Sequence, residues 1–440
     1  MPTAPRSTLL VLAAAASTLA GCSPPRIDPT LAHYIAAIRV IDNHTHVRST
    51  APDDSDTDAL PLDGIPPFPF PARLSPANPD WLAAYRALYG YRYDDFSDAH
   101  RAELRATMEK VRKEKGDSFN VWALDQIGTE IMVGNRIAMG PGLPESRFRW
   151  ASYVDALMLP LATDSEMAAT PDTRALYPLE VKLLRRYMTA LRLTSLPPTL
   201  AGYLASVVTP TLENQRKAGC IAVKFEAAYL RALDFDTDDS SAAARIYARY
   251  ASGGIPSHAD YKTLEDVLFR RIAREAGRLG MAVHIHAFDG FGGFYRAAGS
   301  DPILLETALN DSTLRGTSFV ILHGGGNAWP HTATMLWKPN VYADISMMTI
   351  IDPPSQLAQV LSMWLAQWPD KVLFGSDAFD SPPDAGWEVP AWLATNTARQ
   401  ALGLALTNMM RNGEVTRERA ESLAVMVLRG NAARLYHLKP

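Results

Sequence analysis

The sequence predicts an α/β fold, a (β/α)8 TIM-type barrel with a helical insertion after its first strand. Three observations lead there. Short apolar runs alternate with longer amphipathic stretches, the pattern of repeated strand-helix units around a parallel sheet. Several runs are apolar without interruption, such as Phe319-Val320-Ile321-Leu322 and Val372-Leu373-Phe374, as expected where both faces of a sheet are covered. Histidines stand at the ends of these runs. The alternation alone fits a doubly wound open sheet equally well, so the barrel rests on the histidines.

The elements follow in order. Arg6, the apolar run from Leu9 to Ala20 and then Gly21-Cys22 have the charge, length and small-residue ending of a secretory signal over residues 1–21. The run is too short to span a bilayer. Leu19-Ala20-Gly21-Cys22 resembles a bacterial lipobox, which implies lipidation of Cys22 and attachment to a membrane facing the periplasm. Ser23 resembles lipoproteins sorted to the outer membrane. Only Cys22 and Cys220 are present, so no disulfide framework is expected once Cys22 is acylated. A Pro-rich tether spans 22–30, and one barrel domain spans 31–440.

That domain opens with a helical stretch over 31–38 and a strand over 39–42 that runs into His44-Thr45-His46. Pro and Asp crowd residues 48–78, which predicts a long loop. A helix is expected over 81–115, so that about 48–120 is an insertion. Seven further strands are expected at 130–133, 149–156, 219–225, 281–286, 318–323, 340–345 and 371–375. The clearest helices are 261–279, 302–309, 356–368, 392–404 and 416–428, with one or two more between 173 and 217, broken at Pro197-Pro198.

Composition narrows the class of function. Of 440 residues, 47% are hydrophobic and 20% charged, with a formal net charge of -4, which suits a globular core. No basic patch points to nucleic acid, and a small molecule is the expected partner.

His44 and His46 are two apart at a strand end, so their side chains leave one face and can hold one metal ion. Such a pair alone is often coincidence. His284, His286 and His323 also fall at the ends of apolar runs, and Asp377 follows another in Phe374-Gly375-Ser376-Asp377. In a β/α barrel all those ends open on one face. Imidazoles and a carboxylate gathered there suit a zinc-type cation with a position left for water.

Ile41-Asp42-Asn43-His44-Thr45-His46 resembles the first-strand signature of the amidohydrolase superfamily, and the later strands agree: His286 matches the fifth-strand ligand, His323 the sixth-strand histidine and Asp377 the eighth-strand aspartate. Val223-Lys224-Phe225-Glu226-Ala227-Ala228-Tyr229-Leu230-Arg231 and Gly430-Asn431-Ala432-Ala433-Arg434-Leu435-Tyr436 resemble the amidohydrolase-related subgroup. The resemblance runs from about Arg39 onward, interrupted by the loop after the first strand and by residues 234–258. It implies one or two divalent ions, Zn2+ first among them, held by His44, His46, His286, His323, Asp377 and Lys224. Lys224 stands where binuclear relatives carry a carbamylated lysine, and a lysine paired with a carboxylate or with substrate reads equally well.

The implied reaction is hydrolysis of an amide, ester or lactone by a metal-bound hydroxide, with Asp377 as general base and His323 or Lys224 stabilising the oxyanion. His284, Tyr229 and Arg231 are candidates for substrate binding, although His284 sits one pleat deeper than His286. Gly324-Gly325-Gly326 reads as a turn before it reads as an anion cradle, Asn431 as a structural turn, and the acidic run from Asp234 to Asp239 as a solvated loop. Trp329 and Asp289 lie just past strand ends. Relatives of the subgroup use the same ligands for decarboxylation, which is the alternative reaction; a non-catalytic ligand-binding lipoprotein is the third reading.

Overall fold

The computed structural model describes residues 26–61, 71–75, 78–288, 296–380 and 385–438. The signal, Cys22 and Asp289 lie outside them. Eight parallel strands form one sheet in sequence order: β1 (Val40–Thr45), β2 (Thr129–Arg136), β3 (Phe148–Tyr153), β4 (Cys220–Phe225), β5 (Ala282–His286), β6 (Phe319–Leu322), β7 (Val341–Asp344) and β8 (Val372–Leu373). The two edges meet. Asn43 N donates to Phe374 O at 2.9 Å, Asp377 N to His44 O at 2.8 Å and His46 N to Ala378 O at 2.7 Å, which closes the sheet into a (β/α)8 TIM barrel.

Inward-facing Ile41, Val133, Ala222, Val320 and Leu373 pack into one central cluster with Ala432 and Tyr436 of the C-terminal segment. A second, larger core lies between strands and outer helices, where residues such as Val223, Ile285, Leu361 and Leu406 are fully buried. This double burial explains the unbroken apolar strands. β8 is shorter than its apolar run because the chain leaves the ladder at Phe374 to carry Ser376 and Asp377 over the barrel mouth.

The stretch expected as one helix over 81–115 is two, Pro79–Tyr89 and Asp98–Lys115. Gly90, at φ 66°, caps the first in the left-handed conformation that glycine adopts without a Cβ clash. A third helix, Phe119–Ile127, leads into β2. Together these pack Trp81, Tyr85, Leu104, Met108 and Leu124 against Val389 and Leu393 of the helix Glu388–Arg411.

Two further expectations are corrected. The segment 302–309 is a 3-10 turn, Pro302–Leu305, followed by one α-turn, Glu306–Leu309. The acidic run is only partly a loop: Asp239 accepts from Ala242 N and caps a helix, Ser240–Tyr250, because a carboxylate satisfies the free N–H groups of a first turn. Past Pro197-Pro198 the chain is helical from Leu200 to Lys217, with a π-turn at Leu204–Val208. Among the described residues no helix is long and apolar enough to cross a membrane.

Candidate metal centre

The strand ends bring the predicted ligands together. Nε2 of His44 lies 2.9 Å from Oδ1 of Asp377, and Nε2 of His46 lies 3.4 Å from the same oxygen. Nε2 of His323 is 3.0 Å from Nδ1 of His286. Ligand atoms of His44, His323 and Asp377 all fall within 4.8 Å of one another. Lone pairs this close suit a cation about 2.0–2.2 Å from each donor. A further sign is Nε2 of His286, buried with no hydrogen-bond partner among the described residues, in a molecule whose buried polar groups should be satisfied. The donor set of imidazoles and carboxylate fits a divalent transition-type ion.

The backbone is bent to make this arrangement. His323 and Asp377 have φ of 61° and 58°, and Met347, past the end of β7, has 58°. Non-glycine residues in that region cost about 1–3 kcal/mol each and persist where the surroundings hold them. Gly324 turns the chain away after His323: a Cβ there would stand 2.6 Å from the Trp364 ring and 3.2 Å from Asp344 O. The glycine run is therefore a tight, buried turn.

Three of these histidines have a partner that fixes them. The Asn135 amide lies 2.6 Å from Nδ1 of His44. Nδ1 of His46 is 3.2 Å from both the Tyr153 hydroxyl and Oδ2 of Asp58. Asp58 is brought there by the loop after β1, which Arg136 pins through a buried two-point contact to Asp54, at 2.8 and 2.9 Å. Ser346 Oγ is 2.9 Å from Nδ1 of His323.

Burial holds His44 and His286 well below the ordinary imidazole range and His323 at about 3, so they remain neutral, as ligands must be. Burial works against charge on His46 too, but Asp58 and Asp377 outweigh it and lift that imidazole to about 10, so an ion held there would have to displace its proton. Burial also opposes charge on Asp377, yet His323 and His44 hold its carboxyl well below the carboxylate range.

Lys224 on β4 is fully buried, and its Nζ, without a hydrogen-bond partner among the described residues, lies 3.9 Å from Oε1 of Glu226. Nearby Asp155 is lifted by burial to about 7. His284 pairs in register with Lys224 but gives its Nε2 to the Tyr436 hydroxyl at 2.7 Å, below the ligand cluster. The Tyr229 ring packs on His286 with centroids 4.3 Å apart.

Arg231 is among the residues that line a cavity, with its guanidinium already engaged by carboxylates. That guanidinium, 6% exposed, meets Glu265 at 2.9 Å and Asp266 at 2.8 Å. The cavity, of about 390 Å³, is lined also by Tyr229, His258, Lys262 and Arg296 among others. Through Tyr229 that cavity adjoins the ligand cluster. Trp329 starts the helix Trp329–Met335, and Asn431 Nδ2 donates to Pro369 O and Val372 O at 2.9 and 2.8 Å, tying the C-terminal segment to β8.

Sequence reasoning missed Asp58, Asn135, Tyr153, Asp344 and Ser346. Asn135, Tyr153 and Asp344 end β2, β3 and β7, and the rule that polar residues at barrel strand ends face the site would have found them. Asp58 has no such mark, being one of several aspartates in its loop.

Residues 221–438, close to half the chain, match the family model described as Amidohydrolase. The matched residues belong to that family, and they carry His286, His323 and Asp377 into one closed barrel with His44 and His46. The chain's fold is similar to that of a protein assigned as a metal-dependent hydrolase from Lactobacillus casei ATCC 334, at 15% identity, with 93% of this chain and 99% of that one covered and a TM-score of 0.57. It is also similar to uronate isomerase from Thermotoga maritima, at 12% identity, 93% and 98% coverage and a TM-score of 0.52. Glucuronate isomerase from Caulobacter crescentus gives 13% identity, 94% and 95% coverage and the same score. No curated protein matches the chain in sequence. At these identities the solved structures speak for the fold alone.

Proposed function

We propose that this chain is a metal-dependent hydrolase that cleaves an amide, ester or lactone bond of a small molecule. One observation carries the reading: the carboxylate of Asp377 stands at hydrogen-bond range of His44 and near His46, on the mouth of a barrel where His286 and His323 face each other. His44, His46, His286, His323 and Asp377 would hold the ion, with Zn2+ the first candidate. A divalent cation supplies there a Lewis acid that acidifies water and polarises a carbonyl.

Asp377 is the base. Kept ionised beside His44 and His323, it takes the proton of the attacking water and returns it to the leaving group. Lys224, rather than the ion-holding His323, faces the negative charge that develops on the substrate oxygen, unless Lys224 is carbamylated and joins a second ion. The body of the substrate occupies the cavity beside Tyr229. Decarboxylation is the alternative reaction, which an arginine aimed at a substrate carboxylate would favour; of the two arginines lining the cavity, Arg231 is paired with Glu265 and Asp266.

We also propose that residues 1–21 direct export and that acylated Cys22 anchors the enzyme at the periplasmic side of a membrane. Incorporation of labelled fatty acid, lost in Cys22→Ala, tests the anchor. Elemental analysis of the chain lacking residues 1–21, beside a His44→Ala, His46→Ala variant, tests the centre, and a panel of amides, esters and lactones tests the reaction. Bound metal lost in the variant supports the reading; a parent without metal overturns it.

A further inference from the structure

The N-terminal end of the barrel is stoppered by the helix Asn431–Leu435 and by Tyr436, which Asn431 ties to the start of β8. The Tyr436 ring lies in the central apolar cluster, and its hydroxyl reaches up the barrel axis. There it donates to Oδ1 of Asn43, the residue before His44. Nδ2 of Asn43 donates to Oδ2 of Asp344 at 2.8 Å. The other oxygen of Asp344 accepts from His323 N at 2.7 Å and from Ser346 Oγ at 2.6 Å, and Ser346 Oγ stands 2.9 Å from Nδ1 of His323. Asn43, Asp344, Ser346 and His323 are all buried.

Counting hydrogens fixes the direction of this chain. Ser346 has one hydroxyl hydrogen and gives it to the Asp344 carboxylate, so its oxygen accepts from Nδ1–H of His323. Nε2 of His323 is thereby left as a lone pair facing the ligand cluster. At the other end, Asn43 gives its N–H to Asp344, so its carbonyl must accept from Tyr436. The Tyr436 oxygen then accepts from Nε2–H of His284, whose Nδ1 has no partner. Every hydrogen has one place to go.

We propose that Tyr436 is a positioning residue for the metal centre: through Asn43, Asp344 and Ser346 its hydroxyl fixes the ring orientation and the Nδ1–H tautomer of His323. This rests on the metal reading of the site. Removal of a partner that orients a ligand commonly weakens metal binding about 10–100-fold.

The test uses Tyr436→Phe, which keeps the ring in the core and removes only the hydroxyl. Zn2+ affinity is measured by competition with a chromophoric chelator, and the His323 tautomer by 15N NMR of the metal-free protein. The expected result is Zn2+ binding weaker by about 10-fold or more and mixed His323 tautomers. Ser346→Ala should do the same, and the double variant no more than the worse single one, because both break one chain. Unchanged affinity and an unchanged tautomer in Tyr436→Phe overturn the proposal. Should the phenylalanine loosen the stopper, seen as a lower melting temperature without metal, Ser346→Ala and Asn43→Ala decide, and parent-like tautomers in both overturn it. A parent that binds no Zn2+ sinks the metal reading, while the metal-free tautomer still decides the role of Tyr436.

Discussion

The amide of Asp377 donates to the carbonyl of His44 at 2.8 Å, and the Asp377 carboxylate meets Nε2 of the same histidine at 2.9 Å. One residue pair thus joins the last strand to the first and forms part of the ligand cluster. Closure of the barrel and assembly of the site are the same event, and the first prediction follows from that.

Bound metal should stabilise the fold as well as serve the reaction. At an ion concentration 100 times its dissociation constant the gain is about 2.7 kcal/mol. A chelator should therefore lower the melting temperature of the parent and leave that of His44→Ala, His46→Ala unchanged. Calorimetry with and without chelator reads this directly; an identical shift in both proteins would count against the assignment of these ligands.

Asp377→Asn keeps the shape of the side chain and removes its basicity. With a substrate in hand, turnover should fall by about 10²–10⁴-fold, the range for loss of a general base, while the barrel stays folded by circular dichroism. Residual activity above a tenth of the parent's would assign the proton transfer to another group.

Arg231 should matter for stability rather than for substrate affinity. Arg231→Met leaves Glu265 and Asp266 buried without their partner, which costs about 3–5 kcal/mol for a broken buried pair. Urea unfolding measures it. A variant of parental stability with a raised KM would return Arg231 to the substrate.

Glu265 carries a pH dependence of its own. Burial, partly offset by Arg231, lifts its carboxyl to about 8. The folded state holds the proton more tightly than the unfolded chain, so its contribution is fully present below the ordinary glutamate value of 4.5 and is lost as pH rises through about 8. Across that window stability falls by up to about 1.4 kcal/mol per pH unit. Glu265→Gln removes the titration, so its melting temperature relative to the parent should climb between pH 5 and pH 9, both chosen to bracket the window of about 4.5–8. A constant difference between the two proteins would refute the assignment.

Bicarbonate distinguishes the two readings of Lys224. If its amine is carbamylated and joins a second ion, added bicarbonate should raise the metal content of the parent and not that of Lys224→Met. No response in the parent leaves Lys224 unmodified beside Glu226.

The strands and the histidines gathered at their ends were legible because their signals are local. A strand buried on both faces is an unbroken apolar run, as at Phe319–Leu322, and a ligand pair at a strand end is a spacing of two, as at His44 and His46. The carboxylate partners of Arg231 were not legible for the opposite reason: they are Glu265 and Asp266, which lie on a helix some thirty residues on. Asp58 was invisible because its approach to His46 depends on Arg136 pinning Asp54 across the loop. Gly90, which splits the helix expected over 81–115, carried a readable stop signal that the amphipathic pattern outweighed.

The hydrogen bond between Tyr436 and Asn43 spans 393 residues of chain. Contacts so far apart form late in folding, since chain entropy must be overcome before they return anything. No fragment lacking either end of that bond holds the oriented His323, so a partly made or partly threaded polypeptide has no finished place for an ion. Any ion bound at a centre that depends on this bond would accordingly be drawn from whichever compartment the completed chain folds in, with supply as well as the ligands deciding its identity.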